Sequence, residues 1–320
     1  MNRLVLIDGN AILHRAFHAL PQTLTSPDGK PVNAVYGFTT MLFRLFTDLA
    51  PTNIAVAFDR PKPTFRKQMF AGYQSHRPKM DEGLSSQIEK VHDVVRSFGI
   101  PIYEIDGYEA DDVIGSLAKQ AVSESIDQVI IVTGDRDLLQ LVEDDAVLTY
   151  MPVKGLSEAK IYGEKEAEER LGVVPKQIPD YKALAGDQSD NYPGVNGIGP
   201  KTAVQLLKTF GTVEEIYRAI QSKDARLTEV SPGVLEKLAN GAEDAVLSKD
   251  LATIRTDAPV HFRVDESKVT SLNRPEARKE LETLHFFSLL KRLEKLGKGE
   301  VVEEKKKVTK KKEEEQLSLV

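Results

Sequence analysis

GYEADDVIG, residues 107–115, sets three carboxylates, Glu109, Asp111 and Asp112, within four residues directly after the strand-like run IPIYEID. Val113, Ile114, Leu117, Ala118 and Ala121 then keep a helical apolar spacing up to residue 122, so a helix starts among the acids. A single acid in a first helical turn is explained by the helix dipole and its free N–H groups. Three in four residues repel one another at neutral pH, and a divalent cation is the usual way to offset that repulsion.

The other strand ends extend the pattern. RLVLIDG (3–9) ends in Asp8, NIAVAFD (53–59) in Asp59, and QVIIVTGDRD (128–137) in Asp135 and Asp137. Short apolar strands each followed by a helical pattern predict a parallel α/β sheet, and in such sheets ligands sit at the carboxyl ends of the strands. One Asp at a strand end is equally a turn former or a helix cap. Four strands sending acids to one rim call for a cation. GDQSDN adds Asp187 and Asp190, bringing the set to nine carboxylates. Oxygen ligands without His or Cys point to Mg²⁺ or Mn²⁺ rather than zinc, and so many acids predict two ions.

The 320 residues suffice for two domains, and 41% hydrophobic content is ordinary for a globular protein. With no cysteine, thiol nucleophiles, disulfides and zinc–thiolate sites are excluded. Asp8 interrupts the N-terminus too early for a signal peptide and no apolar run is long enough to span a bilayer, so a cytoplasmic protein with no membrane partner is expected. The net charge of −6 does not argue against an anionic substrate, because with the nine rim acids set aside the 43 Lys and Arg outnumber the rest of the 49 acids.

Arg15 and His14 lie on a short helix close to Asp8, where Arg15 meets either a phosphate or solvent. In residues 60–84, Arg60, Lys62, Arg66, Lys67, Arg77 and Lys79 alternate with Phe65, Phe70 and Tyr73. Bases for phosphates interleaved with rings for nucleobases is the composition of a single-strand nucleic-acid channel, and a surface loop whose rings pack on the sheet is the alternative. Residues 85–98 read as a helix covering the sheet and 146–151 as a further strand. From about 163 the strand signals stop and the chain turns helical. There PGVNGIGPKTAVQLLKTFG (193–211) carries Gly197 and Gly199, then Pro200 opening a helix with Lys201 and Thr202 at its start. This is a helix–hairpin–helix pattern for sequence-independent grip on a DNA backbone. Residues 297–320 form a low-complexity tail of KKK and EEE runs, expected to be disordered, and its end, QLSLV, breaks that composition.

LIDGNAILHRAFHA, AFDRPKPTFR, GYEADDVIG, VTGDRDLLQL and GDQSDNYPGVNGIGPKTA together resemble the 5′-nuclease domain of bacterial DNA polymerase I, within the flap-endonuclease family, over residues 1 to about 293. The resemblance implies a PIN-like core over 1–165 with an arch at 60–84, a helical DNA-binding subdomain over 166–293, and the tail. It implies that Asp8, Asp59, Glu109 and Asp111 gather one Mg²⁺, that Asp135, Asp137, Asp187 and Asp190 gather the other, and that Asp112 lies close to both. It further implies phosphate contacts from Arg15 and Arg66, catalytic placement of Tyr73 and position 74, DNA contacts from Arg77 and Lys79, and a K⁺ ion on the carbonyls of the 194–199 hairpin. The implied activity is two-metal 5′→3′ exonuclease and flap endonuclease cleavage of branched, nicked or 5′-flap DNA, including removal of RNA primers. QLSLV (316–320) is similar to the pentapeptides by which bacterial replication proteins dock on the sliding clamp, with Val320 where Phe is usual. One departure stands out: the family has a lysine eight residues after the arch arginine, and here that residue is Gln74. Gln74 is the feature that would favour a catalytically weak DNA-structure-binding module. A PIN-class RNase is the other alternative, supported by the acidic rim alone.

Overall fold

The structure, a computed structural model, describes residues 1–155 and 158–297. The tail from 298 on, with the 316–320 pentapeptide, lies outside the described residues. Six strands form one sheet: β1 (Arg3–Asp8), β2 (Asn53–Ala57), β3 (Ile102–Tyr103), β4 (Gln128–Val132), β5 (Val147–Lys154) and β6 (Glu158–Tyr162). Their order in space is β3-β2-β1-β4-β5-β6, all neighbours parallel except β6, which runs antiparallel to β5. The chain winds outward from β1 in both directions, so the strand order reverses between β1 and β4. A crevice opens there at the carboxyl ends of the strands.

The apolar runs are continuous because both faces are covered. Val5, Ile7, Ile54, Val56, Ile130 and Val132 point to one side. They meet α1 (Gly9–Ala19), α2 (Asn33–Leu49) and, after two short helices α3 (Phe65–Met69) and α4 (Glu82–Ser85), α5 (Ile88–Ser97). Leu4, Leu6, Ala55, Ala57, Val129 and Ile131 point the other way, onto α6 (Ala110–Ser123) and the extended run through Ile254, Val260 and Phe262. Each such Leu, Ile or Val contributes about 1.5–3 kcal/mol by leaving water.

β6 was not legible in the sequence. It is an edge strand whose EAKIY is mostly exposed, so no apolar run marks it. β3 is also shorter than the run IPIYEID suggested, with Ile102 and Tyr103 alone pairing with β2.

Beyond the sheet the chain is helical, as expected. α7 (Glu164–Leu171), α8 (Ile178–Ala185), α9 (Pro200–Phe210), α10 (Val213–Ser222), α11 (Pro232–Asn240) and α12 (Ala242–Ala252) build a second core around Leu184, Val195, Leu206, Leu207 and Ile216. α13 (Val264–Ser267), α14 (Pro275–Thr283) and α15 (Phe287–Gly297) complete the described chain, with Leu281, Leu284, Leu289 and Leu293 returning to the first core.

A buried amide pair fixes the helices behind the crevice. Asn33 Nδ2 donates to the Phe17 and Leu20 carbonyls at the end of α1 (2.9 and 3.2 Å). Gln87 Nε2 donates to Asn33 Oδ1 (2.9 Å), and Gln87 Oε1 accepts from Ala34 N (2.8 Å) at the start of α2, which has no side-chain cap of its own. Gln87→Ala would strand a buried N–H and a buried carbonyl oxygen, and should lower stability by about 2–4 kcal/mol in urea denaturation. A change below about 0.5 kcal/mol, the range of surface substitutions, would show that the pair is not holding α1 and α2 together.

Candidate active site

The acids converge on the crevice because each strand hands over to a turn at its carboxyl end. Asp8, the last residue of β1, caps α1, its Oδ1 accepting from Ala11 N (3.0 Å). Gly9 follows because a Cβ there would stand 2.4 Å from the Phe58 ring. Asp8 Oδ2 accepts from Thr133 Oγ1 (2.6 Å), and the same hydroxyl accepts from Asp135 N (2.9 Å). Thr133, fully buried after β4, thus ties two strand-end acids together. Asp59 N donates to Asn10 Oδ1 (2.9 Å), while its Oδ1 accepts from Ala110 N at the start of α6 (2.7 Å). Asp137 N donates to Asp135 Oδ1 (2.8 Å).

The last two acids arrive on a loop whose ends touch. Gly186 and Gly194 both have positive φ, and a Cβ on Gly194 would fall 2.2 Å from Gly186 N, so backbone meets backbone there. Asp187 and Tyr192 bond each other's main chain across the loop. In this way Asp137, Asp187 and Asp190 each bring one oxygen within 4.8 Å of the others. A cleft of about 1370 Å³ is lined by Asp8, Asp59, Glu109, Asp111, Asp135, Asp137 and Asp190.

The electrostatics of these groups fit cation binding. Burial pushes Asp8 up to about 7, with Asp59 and Asp135 adding repulsion. Glu109 rises to about 7 by burial, against the pull of Arg66. Asp137 rises to about 6, burial outweighing Lys182. Asp111 is raised well above the usual carboxylate range by burial and then by Asp135, Asp8, Asp59 and Glu109, all of them negative. Asp59, though exposed, is raised as well by partial loss of solvent. The donor set is oxygen only, which suits a hard divalent ion.

Two of the expected site residues are held inside the protein. Arg66, expected to contact a phosphate, is 2% exposed and its five N–H groups are all engaged within the chain. Nε donates to the Leu251 carbonyl (2.8 Å), Nη1 to Asp112 Oδ2 and Glu109 Oε2 (2.7 and 3.3 Å), and Nη2 to Asp112 Oδ1 and the Thr253 carbonyl (2.8 and 3.0 Å). Asp112, expected close to both ions, is fully buried and does not line the cleft, because Arg66 holds both its oxygens and the N–H groups of Glu109 and Arg255 occupy what remains (3.1 and 2.8 Å). The pair fastens the start of α6 to α3 and the end of α12.

The arch also differs in detail. Tyr73 is 3% exposed, its hydroxyl donating to Glu109 Oε2 (3.1 Å) with Asp190 Oδ2 at 3.4 Å. The guanidinium groups of Arg66 and Arg255 both lie over the half-buried Phe65 ring, 4.6 and 5.4 Å from its centroid. These two rings pack on the protein, as in the surface-loop alternative. Gln74, in the left-handed region at φ 53°, donates its main-chain N–H to the Asp190 carbonyl (2.8 Å). Arg77 Nη2 meets Asp190 Oδ1 (2.6 Å) with half its side chain in solvent, and Lys79 is exposed. Arg15 lines the cleft, its Nε donating to the Gly155 carbonyl (2.7 Å).

Sequence reasoning passed over Lys182. It lies on α8, and its ammonium is held between Asp137 and Asp187. Farther out, Gly199 caps α9, Lys201 is exposed and Thr202 half-buried, while Gly197 accepts at its carbonyl from Lys237 Nζ (3.0 Å).

A doubly wound sheet with an acidic crevice, followed by a helix–hairpin–helix, is the architecture of a 5′-nuclease. Residues 3–172 match the 5′-3′ exonuclease N-terminal resolvase-like domain and residues 173–275 the 5′-3′ exonuclease C-terminal SAM fold. The chain belongs to the 5′-3′ exonuclease family. It is 41% identical over 302 residues to DNA polymerase I of Caldicellulosiruptor bescii and 40% identical over 291 residues to that of Bacillus subtilis. Those matches cover 94% and 91% of the chain but 34% and 32% of the polymerases, so the chain spans about a third of their length. Among solved structures, T5 5′-exonuclease with bound zinc superposes with a TM-score of 0.65 at 18% identity, over 92% of this chain and 98% of that one. The catalytic core of Rad2 with a DNA substrate superposes at 0.54 and 16% identity, over 88% and 87%. At these identities the likeness is one of fold.

The raised carboxyls give a pH signature. A folded pKa of about 6 to 7 against an unfolded value near 4 means that the folded state keeps protons the unfolded chain has released. Stability from these groups is therefore lost as pH rises between those values, and an added cation relieves the loss by favouring the ionised form. Excess Mg²⁺ should raise Tm several degrees more at about pH 8 than at about pH 5. Equal shifts at the two pH values would contradict the assignment.

Proposed function

We propose that this chain is a metal-dependent 5′→3′ exonuclease and 5′-flap endonuclease, hydrolysing phosphodiesters of branched, nicked or RNA-primed DNA. The observation that carries the reading is the convergence of Asp8, Asp59, Asp111, Asp135 and Asp137 on one cleft at the switch point of the sheet, with Asp8, Asp111 and Asp137 pushed up by loss of solvent and by neighbouring acids. Asp8, Asp59, Glu109 and Asp111 would hold one Mg²⁺, and Asp135, Asp137, Asp187 and Asp190 the other, with Mn²⁺ able to substitute. When bound, the ions supply acidified water and offset charge on the scissile phosphate.

The chain's own side chains orient and neutralise. Arg66, through Asp112, fixes the turn that presents Glu109 and Asp111, and Tyr73 steadies Glu109 beside Asp190. Arg77, half in solvent, and Arg15, which also lines the cleft, are the guanidiniums that would meet a phosphate. With Gln74 at the position of the family lysine, Arg77 and Lys79 carry the positive charge of this stretch. Gly197, Gly199, Lys201 and Thr202 would grip the duplex backbone away from the cut. A K⁺ ion at residues 194–199 would share the Gly197 carbonyl with Lys237. The pentapeptide 316–320 would tether the enzyme to a sliding clamp.

Asp111→Asn should lower turnover on a labelled 5′-flap in Mg²⁺ by at least about a thousandfold, while flap binding in Ca²⁺ changes little. Near-normal turnover of the variant would overturn the proposal, and faster cleavage of single-stranded RNA than of flap DNA by the parent would favour an RNase instead.

A further inference from the structure

We propose that Lys182 is a built-in counter-ion of the Asp137–Asp187–Asp190 subsite. Its ammonium fills the position of a divalent ion and has to be displaced when one binds. The inference rests on the two-ion reading above.

Lys182 contacts both Asp137 and Asp187, and its side chain is 13% exposed. The oxygens it touches belong to carboxylates that converge within 4.8 Å. An ammonium with three donors and a divalent ion cannot both use that space. The third acid, Asp190, is held separately by Arg77, so the positive charge at the subsite is divided between the two cations. The buried Tyr192 hydroxyl, on the closed loop that carries Asp187 and Asp190, has no hydrogen-bond partner among the described residues. It is an unused polar atom on the segment that supplies two of the three acids.

The two subsites differ in this respect. In the other set Asp8, Asp59 and Asp111 make no salt bridge to a lysine or arginine among the described residues, and Glu109 meets Arg66, a guanidinium whose remaining N–H groups are fixed on Asp112 and main-chain carbonyls, so an ion entering there has no mobile ammonium to displace. An ion entering beside Asp137 and Asp187 meets charge already balanced, and must exchange with Lys182. α8 and the closed loop behind it are fixed by packing, but the four-carbon lysine stem can swing its head toward the cleft without moving either. The structure therefore builds one strong and one weaker ion site. The weaker one binds only when the local cation concentration is high enough to displace the lysine.

Mn²⁺ titration followed by electron paramagnetic resonance tests this, together with melting in EDTA. The parent should bind two ions with unequal affinity. In Lys182→Met the weaker site should tighten by about tenfold or more, because a competing unit charge is gone. The variant should also melt lower than the parent in EDTA and gain more from Mn²⁺. Lys182→Gln, neutral but still a donor, should do the same and decides the matter if the Met variant fails to fold. Variants that fold only with Mn²⁺ present would support the counter-ion role. A weaker site of unchanged affinity in both variants would overturn the proposal while leaving two ions in place. A single ion in parent and variants alike would overturn the two-ion reading, and this inference with it.

Discussion

Repulsion among closely set carboxylates, partly cut off from solvent, is the constraint around which this protein is arranged. Asp8, Asp59, Glu109, Asp111 and Asp137 are all raised by loss of solvent, and Asp111 has four other acids as its strongest neighbours. A fold tolerates this only if the backbone holds the groups in place and cations are near. Here the backbone does so with N–H donors at two helix starts, Ala11 to Asp8 and Ala110 to Asp59. Thr133 supplies a hydroxyl between Asp8 and Asp135. Three cations, the buried Arg66, the half-exposed Arg77 and the largely enclosed Lys182, are paired with these acids.

Those cations have different jobs. Arg66 with Asp112 is a buried bidentate pair whose further donors go to two main-chain carbonyls and to the Glu109 carboxylate. A pair of this kind contributes geometry more than net stability, since desolvation offsets most of its attraction. Arg77 remains half exposed and can exchange its carboxylate for another anion. The arch is accordingly latched rather than free: Gln74 and Arg77 bond to Asp190, and Asn191 bonds back to Gly72 and Ser75. Arch position and the second acidic subsite are thereby coupled through one loop.

Much of this was legible before any coordinates. Strand-end acids are visible because parallel strands read as short apolar runs, and the α6 start is visible because helical spacing begins among its acids. The Gly-rich run before Lys201 likewise marked the hairpin, and Val195, Ile198, Leu206 and Leu207 sit in the helical core it predicts. What escaped depends on contacts distant in sequence. Nothing in RPKPTFRKQ says that Arg66, and not Arg60 or Lys67, turns inward toward Asp112, 46 residues away. Lys182 looks like an ordinary helix lysine. Its only signal is position, five residues ahead of Asp187 on a helix that leads into the acidic loop. The pairing of Asn33 with Gln87 joins residues 54 positions apart and has no local signal.

The claim that the crevice is a two-cation site is tested most directly by anomalous diffraction from crystals soaked in Mn²⁺. The account predicts two peaks, one among Asp8, Asp59, Glu109 and Asp111, the other among Asp135, Asp137, Asp187 and Asp190 with the Lys182 ammonium moved away from Asp137 and Asp187. Peaks elsewhere on the surface, with the crevice carboxylates unmoved and without metal, would contradict it.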